Sequence, residues 1–458
     1  MLRIGNRKFY KEVMRIGLPI AIQGLLTSSL SFIDSLMVGS LGETALAAVG
    51  AASQFGSLLF GFYWGLCCGG TIFIAQYHGV HDETGIRRAH GLATSCMMAL
   101  TLVFSLLAMF APYQVMSVYA QDAAVRELGV QYLRIIGIAF LFQTMSTAFS
   151  NVLSSTERVK IPLAASIASM ITNTALNWML IYGKCGMPQM GVRGAAIASL
   201  AAAVVNAAVL IGVCIYQRNV AVTNLRQMFL WPRSFVKEYF QKSTPLIINE
   251  TGYSLAVLVV NIVFGRQGEA NLAAISIFRT LEGLLYAFFR GFANASSVMV
   301  GKRVGAGDLR NAAQQATWFT ILCPMVSMSL CLVVFALRTP LLSLFDISDT
   351  VRTTVTWILL AYTILGPTRH MNYIENNIYR AGGESRVGMF IEVGGIWLVT
   401  VPLVLLTGLV FHAPFIVVFI ASMFEEFVKL PIELKYLLSR KWIKPVTEQG
   451  KAALEENA

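Results

Sequence analysis

The sequence predicts an all-α integral membrane protein with twelve transmembrane helices, arranged in two six-helix lobes that are related by a parallel repeat. Of its 458 residues, 56% are hydrophobic and only 13% are charged, and the mean hydropathy is +0.65. A soluble chain carries roughly a quarter charged residues. Because a bilayer-spanning helix needs about 20 mostly apolar residues, twelve spans and their joints fill this length. The apolar runs do not alternate as barrel strands do, so helices are expected.

Twelve apolar runs are long enough to cross a bilayer, and short polar joints separate them. The predicted spans are residues 15–37, 48–76, 89–111, 127–153, 161–182, 194–216, 243–264, 273–301, 315–336, 353–380, 387–409 and 413–435. The predicted domains are an N-lobe of six spans at 1–216, a basic cytoplasmic linker at 217–242, a C-lobe of six spans at 243–436 and a cytoplasmic tail at 437–458.

The distribution of positive charge predicts the orientation of the chain in the membrane. The formal net charge is +11. If both termini are cytoplasmic, the cytoplasmic segments and helix rims hold 24 of the 35 Lys and Arg residues, and the outer loops hold six. This bias follows the positive-inside rule. We therefore expect a multi-pass protein of the cell (inner) membrane with cytoplasmic termini, and no nucleic-acid partner.

The two halves of the chain repeat each other. An ungapped offset of 226 residues places Pro19 on Pro245 and Asp82 on Asp308, and several glycines also coincide. Shared hydrophobicity alone does not align proline, glycine and aspartate in both spans and loops. Because each half contains an even number of spans, both halves enter the membrane from the same side. The repeat is therefore parallel, an arrangement found in transporters with rocking halves.

Several short motifs are spread over both halves. They are Gly17-Leu18-Pro19, Asp34-Ser35-Leu36-Met37-Val38-Gly39, Leu46-Ala47-Ala48-Val49-Gly50, Ala75-Gln76-Tyr77-His78-Gly79, the pair Asn173 and Asn177, the run from Gly191 to Ser199, and Val304-Gly305-Ala306-Gly307-Asp308. With these motifs the chain resembles the multidrug and toxic compound extrusion (MATE) family over nearly its whole length. The resemblance implies two helical bundles around a central cavity whose opening alternates, with proton or sodium entry driving a substrate out.

The resemblance also implies a cation-binding site in the N-lobe. In this sequence the site falls on four residues, namely Asp34, Asn173, Asn177 and Ser199. Some members of the family carry an acid at the position of Asn177, so the coupling ion is left open between H⁺ and Na⁺. No other cofactor and no structural metal are expected.

The residues themselves favour a functional role for Asp34. An ionisable group deep in a span costs roughly 2.5–3.5 kcal/mol on insertion scales, and Asp34 continues a polar stripe formed by Gln23, Thr27 and Ser31. The stripe indicates an ion path or a ligand cage; the alternative is a buried carboxylate that neighbouring hydroxyls satisfy. The two asparagines share one helix face, and by themselves they would also suit interhelical hydrogen bonding.

The C-lobe spans carry more charge than the N-lobe spans. Six residues are predicted as substrate contacts: Glu250, Tyr253, Arg279, Glu282, Arg369 and Glu375. The alternative is structural ion pairing, since Arg279–Glu282 and Glu425–Lys429 have helical pair spacing. Glu250 has no basic neighbour on its own helix face and is the stronger candidate for a substrate or proton contact. His370 could shuttle protons or act as a hydrogen-bonded packing residue.

The predicted function is a cation-coupled antiporter that exports small organic solutes such as drugs or metabolites by alternating access. Neither an enzyme nor an ion channel is expected. Pro19 lies upstream of Asp34 and is the predicted hinge, because proline frees a backbone carbonyl and bends a helix. The alternatives are a lipid-linked precursor flippase of the same broad superfamily and an intramembrane enzyme. An enzyme needs a nucleophile–base or metal constellation, and the sequence contains no such pattern. The expected partners are a small organic solute and the lipid bilayer, and the expected state is a monomer.

Overall fold

A computed structural model describes residues 5–343, 345 and 347–456. Within that part of the chain every regular element is helical, and no strand occurs. The helices pack as two compact units. The first, the N-unit, comprises residues 22–243, and the second, the C-unit, comprises residues 5–21 together with 244–456.

The N-unit is built from long apolar helices and two short connecting helices. Its elements are the later part of α1 (Arg7–Gly39), α2 (Glu43–Gly79), α3 (Glu83–Phe110), α4 (Pro112–Tyr119), α5 (Ala123–Ser155), α6 (Lys160–Tyr182), α7 (Gly191–Tyr216), α8 (Leu225–Met228) and the beginning of α9 (Arg233–Gly265).

The C-unit contains the remainder of α9 and the helices that follow it. These are α10 (Glu269–Gly305), α11 (Leu309–Ala336), α12 (Arg338–Leu342), α13 (Asp349–Gly382), α14 (Arg386–Gly395), α15 (Val401–Leu405), α16 (Phe415–Met423), α17 (Glu425–Leu438) and α18 (Glu448–Glu456). Two π-helical turns, Ile396–Thr400 and Leu406–Val410, flank α15.

All twelve predicted spans coincide with helices, and the fold class is confirmed. Among the described residues, nine helices are long and apolar enough to cross a membrane. The other three spans are α6, α13 and the α16–α17 pair, which contain intramembrane polar residues such as Asn177, Glu375 and Glu425. Four short helices, α4, α8, α12 and α18, lie outside the predicted spans.

The internal repeat is confirmed by the lengths of the helices. Helices α1, α2 and α3 have 33, 37 and 28 residues, and α9, α10 and α11 have the same lengths in the same order. The turns before α2 and α10 also match, because Gly42 and Gly268 adopt φ values of 106° and 103°. A residue with a Cβ rarely adopts such angles, so both turns require glycine.

Helices α1 and α9 each contribute to both compact units. Residues 5–21 of the α1 segment belong to the C-unit, whereas residues 233–243 at the start of α9 belong to the N-unit. The predicted linker at 217–242 therefore contains the first part of α9 as well as α8. Hydropathy predicts the start of a span where the apolar run begins. A helix can begin earlier, because polar residues also form the backbone hydrogen bonds of a helix.

Close backbone packing joins the first part of α1 to α10 within the C-unit. A Cβ added to Gly291 would lie 2.4 Å from the carbonyl oxygen of Gly17 and 2.7 Å from the backbone nitrogen of Ala21. Small residues allow helices to approach this closely in lipid.

We expect Gly291→Val to destabilise the protein strongly, since overpacking typically costs about 1–3 kcal/mol and rigid backbone atoms block this site. Gly283→Val is the matched control, because Gly283 lies on the same helix and a Cβ there meets nothing within 4 Å. Thermal stability of the detergent-solubilised protein, read by fluorescence-detected size exclusion, compares the two variants. Equal losses in both would contradict this packing.

The segment that follows α17 is packed against the C-unit. Trp442 is fully buried, its indole N–H donates to the carbonyl oxygen of Leu437 at 3.0 Å, and Lys444 N donates to the Gly382 carbonyl oxygen at 2.7 Å. The Thr447 hydroxyl donates to Gly305 O at 2.6 Å. The predicted tail at 437–458 is thus, over its described residues, an ordered part of this unit.

An ion pair adds to the same contact. Lys444 Nζ pairs with the carboxylate of Glu384, whose side chain is 3% exposed. Burial by itself raises the pKa of Glu384, but the Lys444 ammonium and the backbone amides of Val387 and Arg386 outweigh burial and lower the pKa below its usual value. A lowered carboxyl pKa contributes stability above the unfolded-state pKa, and this contribution is lost as the pH falls through the folded-state pKa.

Candidate functional site

A continuous chain of polar side chains links three helices of the N-unit. Asn177 Nδ2 donates to Asp34 Oδ1 at 2.5 Å and to Asn173 Oδ1 at 2.9 Å. Asn173 Nδ2 in turn donates to the Ser199 hydroxyl at 3.4 Å. The four residues predicted from the family resemblance therefore lie together, with α1 supplying the carboxylate, α6 the amides and α7 the hydroxyl.

The two asparagines are the buried part of this chain. Asn177 is 1% exposed and Asn173 is 2% exposed, whereas Asp34 is half-buried. The side-chain oxygen of Asn177 is also buried and accepts no hydrogen bond from any residue that the structure describes. A buried carbonyl oxygen without a donor is costly, and this one is a free acceptor directly beside a carboxylate.

The other members of the predicted stripe form hydrogen bonds with groups other than Asp34. Thr27 and Ser31 donate their hydroxyl protons to backbone carbonyls one turn earlier in α1. Gln23 Nε2 donates to the Ser166 hydroxyl at 3.0 Å. The hydrogen bonds of Thr27 and Ser31 are local to α1 and that of Gln23 reaches α6, and the interpretation of the stripe as an ion path or a ligand cage stays a prediction.

Tyr132 is a member of this site that the sequence reasoning missed. Its side chain is 8% exposed. Its hydroxyl contacts Ser199, and it lies close enough to Asp34 for an electrostatic interaction with the carboxylate. Tyr132 lies on α5, outside every motif used to find the site. A tyrosine within an apolar span was its only signal in the sequence.

A network of ion pairs occupies the C-unit, beginning at Arg369 on α13. Its guanidinium donates to Glu282 Oε1 at 2.7 Å and to the hydroxyl of Tyr253 at 3.3 Å. Glu426 Oε1 lies 4.0 Å from Arg369 Nε. Three of the six predicted substrate contacts, Tyr253, Glu282 and Arg369, are therefore direct neighbours.

Arg380 forms the second centre of the network. It contacts Glu250 Oε1 at 3.2 Å and Glu392 Oε2 at 3.6 Å. The carboxylate of Glu392 also accepts hydrogen bonds from Asn249 and Asn376. Glu250 has no basic partner on its own helix, as its sequence indicates, but it has one on α13; its role as a substrate or proton contact stays a prediction.

Lys429 forms the third centre, and it is buried. It lies 3.2 Å from Glu425 Oε1 and 3.1 Å from Glu426 Oε2. The predicted Glu425–Lys429 pair is confirmed. Both acids and the lysine are less than 10% exposed, so this group is an internal ion cluster and not a surface pair.

The predicted Arg279–Glu282 pair is not present in the described chain. Arg279 hydrogen-bonds the side-chain oxygen of Asn261, and Glu282 instead bonds Arg369. Helical spacing allows the pair, but Glu282 Oε1 lies 2.7 Å from Arg369 Nη1 on α13. Arg279 therefore keeps its charge beside a neutral amide on an exposed part of α10.

Two other predicted residues of the C-unit are fully buried. His370 stacks on Phe289 with ring centroids 3.9 Å apart, and its Nδ1 lies 2.8 Å from the Ser327 hydroxyl. These contacts favour the packing interpretation of His370. Glu375 is 0% exposed, whereas Glu250 keeps 27% of its side chain exposed, so of these two acids only Glu250 offers an accessible surface to a substrate. No group of three or more His, Cys, Asp or Glu side chains in the described chain could hold a metal ion.

Comparisons with known proteins place the chain in a family. The family model described as MatE matches residues 19–179 and 245–406, which are corresponding parts of the two repeats. The chain therefore belongs to the MatE (multidrug and toxic compound extrusion) family of transporters, as the sequence motifs predicted. It is a multi-pass membrane protein with twelve transmembrane helices in two lobes.

Individual relatives are distant but align over most of the chain. The uncharacterized transporter YisQ of Bacillus subtilis is 21% identical over 427 residues, covering 93% of each chain. A probable multidrug resistance protein NorM of Thermotoga maritima is 22% identical, covering 95% of this chain and 93% of the relative. The crystal structure of a mutant MATE transporter VcmN from Vibrio cholerae matches with a TM-score of 0.86 at 17% identity, covering 95% of this chain and 98% of that chain.

Proposed function

We propose that the protein is a cation-coupled antiporter of the cell (inner) membrane, with both termini cytoplasmic. Entry of a proton or a sodium ion exports small organic solutes by alternating access. The observation that carries this proposal is the Asp34–Asn177–Asn173–Ser199 chain with its unpartnered amide oxygen. A half-buried carboxylate beside a free acceptor is suited to binding a small cation.

A cation at Asp34 would change the bonds that link α1 to α6. As an anion, Asp34 accepts a hydrogen bond from the Asn177 amide nitrogen. A protonated carboxyl can donate a hydrogen bond to the amide oxygen, and a sodium ion bound to the carboxylate can be coordinated by the same oxygen. Asn177 can present this oxygen after rotation of its amide group. These side chains therefore have two alternative arrangements, one with and one without the bound cation. The cation and the substrate can each stabilise a different one, so they can shift the equilibrium in opposite directions.

The test is transport by the purified protein in liposomes, with a pH gradient and a sodium gradient imposed separately and a mixed panel of solutes supplied. We expect one of the two gradients to drive solute movement against its own gradient. Solute flux that is the same with and without each ion gradient would contradict antiport. The gradient that changes the flux identifies the coupling ion.

Pro19 is proposed as the hinge of α1. The residue lies inside a continuous helix, two residues before the point at which α1 passes from the C-unit to the N-unit. Its repeat partner Pro245 lies just after the equivalent change in α9. A proline removes one helical hydrogen bond and allows bending at this position.

We expect Pro19→Ala to slow turnover in the liposome assay while substrate affinity stays unchanged, because the substitution restores a helical hydrogen bond at the hinge. Pro162→Ala is the matched control, since Pro162 lies in the first turn of α6, where no intrahelical N–H bond is lost. Unchanged turnover with altered affinity would place the hinge elsewhere.

The substrate is proposed to bear both charges or to be neutral and polar. At the repeat offset, Arg279 and Glu282 of the second half replace Ser53 and Gly56 of the first. Arg279 has an amide as its partner and can receive an anionic group. Glu250 keeps 27% of its side chain exposed beside Arg380 and can meet a cationic group.

We expect Arg279→Gln to weaken the binding of zwitterions and to leave monocations unaffected, because the substitution removes the positive charge and keeps the hydrogen bonding. Binding is measured with one panel of monocations and one panel of zwitterions on the purified protein. Arg266→Gln, a change at an exposed residue near the end of α9, controls for the loss of net charge. Binding of monocations alone, unchanged in Arg279→Gln, would contradict the mixed-charge substrate.

A further inference from the structure

Three helices of the C-unit meet at a buried polar cluster that lies outside the N-unit cation site and contains Glu375, the one predicted substrate contact that is buried. It consists of Glu375 on α13, Glu433 on α17 and Thr320 on α11, which are 0%, 2% and 4% exposed. The Glu433 carboxyl and the Thr320 hydroxyl are the polar neighbours of Glu375. The thiol of Cys323 on α11 also faces Glu375.

The oxygen atoms of this cluster lack conventional partners. Both carboxylate oxygens of Glu375, Oε2 of Glu433 and the hydroxyl of Thr320 are buried, and none forms a hydrogen bond of regular geometry with a described residue. The hydroxyl of Tyr379, one turn after Glu375, bonds the backbone carbonyl of Glu433 and not its carboxylate. Two buried carboxylates without donors are too costly to persist as two anions.

The charge balance of the surrounding network leads to the same conclusion. Seven carboxylates outnumber the three bases that contact or neighbour them by four: the acids are Glu250, Glu282, Glu375, Glu392, Glu425, Glu426 and Glu433, and the bases are Arg369, Arg380 and Lys429. Each base already contacts two acids. Lys429 also lies near Glu433, but it is already shared by Glu425 and Glu426, so no base of the network is left to neutralise Glu375 and Glu433 alone.

We propose that Glu375 and Glu433 form a second cation site, a carboxyl pair that shares one proton and exchanges it during transport. When the proton is bound, the O–H of one carboxyl donates to an oxygen of the other, and the Thr320 hydroxyl can complete the hydrogen bonding. When it leaves, two adjacent anions face each other, with Glu426 and Lys429 on α17, Glu392 on α14 and Tyr379 on α13 as the next charged or titratable groups.

The release of this proton would favour a different packing of α13 against α17. Two adjacent buried anions repel each other in a medium of low dielectric, so the deprotonated pair requires separation of the helices or access of water. The exchange during transport rests on the antiport proposed above. The binding of a proton by the pair does not, and it can be measured without a substrate.

Infrared difference spectroscopy of the purified protein in lipid nanodiscs tests proton binding directly. A pH step should reveal a carboxylic-acid C=O stretch that shifts in D₂O. We expect its intensity to fall in Glu375→Gln and in Glu433→Gln, and to persist in Asp34→Asn. Glu384→Gln is the matched control, because Glu384 is equally buried but ion-paired with Lys444. An unchanged band in both pair variants would overturn the proposal.

Two further measurements separate exchange from a permanently held proton. Addition of a transported solute to weakly buffered protein should release protons, read with a pH indicator, and both pair variants should release fewer. A pair-dependent band that neither pH nor solute moves would reveal a purely structural proton and overturn the exchange. Proton release by sodium ions alone at constant pH would show that the pair binds sodium, which would overturn the assignment of a proton. Normal proton binding in a protein without ion-coupled transport would leave this site intact and reject only the antiport.

The pair variants are suited to this test because glutamine mimics the protonated carboxyl in shape and charge. Each substitution also lowers the excess of buried negative charge, so folding should be retained. Glu375→Asp supplies a second variant that keeps the acid and alters its distance from Glu433. We expect this variant to retain a shifted band, whereas loss of the band together with normal folding would contradict a shared proton.

Discussion

Asp34→Asn is expected to reduce cation-coupled transport to background while the protein folds and inserts normally. The amide keeps the shape of the carboxyl and can still accept the hydrogen bond from Asn177 Nδ2, but it cannot bind a proton or supply a full negative charge to a sodium ion. Removing a partly buried intramembrane charge also removes an insertion cost of roughly 2.5–3.5 kcal/mol. Stability should therefore not fall. Gradient-driven solute flux in proteoliposomes, together with thermal stability, measures both effects.

Glu127→Gln is the matched control for this variant, because it removes an acid from an exposed position on α5. Normal exchange is expected there. Wild-type exchange rates in Asp34→Asn would end the assignment of the N-unit cation site. Counterflow of solute without an ion gradient is a useful second readout. We expect Asp34→Asn to reduce coupled exchange more than it reduces substrate binding.

Trp442→Ala is expected to cause the largest loss of stability among single substitutions in the segment after α17. The indole is fully buried and lies directly against Gly382, where an added Cβ would come within 2.4 Å of the ring. Truncation of a buried aromatic side chain costs about 3–5 kcal/mol. The thermal stability of the solubilised protein should fall accordingly, and the contacts of Lys444 and Thr447 should loosen with it.

The control for this prediction is Trp357→Ala, because Trp357 is 55% exposed on α13. A small change is expected in that variant. Similar losses in the two tryptophan variants would mean that the segment after α17 is not anchored through its indole. Limited proteolysis offers an independent check, since a released segment should be cleaved near Arg440 in Trp442→Ala before it is cleaved in the wild type.

The grouping of the four N-unit residues was predictable because the motifs that contain them resemble those of a known family. Asn173 and Asn177 are one turn apart on α6, and a lone acid in an apolar span is conspicuous. Tyr132 was not predictable, because a tyrosine in a span has no distinctive spacing to any of those residues. Likewise, the hydroxyls of Thr27 and Ser31 share a face with Asp34 but bond their own helix.

The C-unit network was predictable in composition but not in pairing. Helical spacing correctly predicted Glu425–Lys429, because the two residues are four positions apart on one helix. It could not reveal the partner of Glu250, since Arg380 is 130 residues away in the chain, and it failed for Arg279, which bonds Asn261 on another helix. Which charges meet depends on the rotation and axial position of each helix against its neighbours.

The sequence alone determined the membrane class, the twelve spans, the parallel repeat and the presence of Asp34 in a span, since these follow from local hydropathy and self-similarity. The tertiary structure decided which buried charges are paired and which are left without donors. It also decided that the segment around Trp442 is packed. In the low dielectric of a helix bundle, the Coulomb energy of an ion pair depends strongly on a distance of a few ångströms. The packing of the helices sets that distance and therefore selects the partners, and hydropathy does not encode this packing.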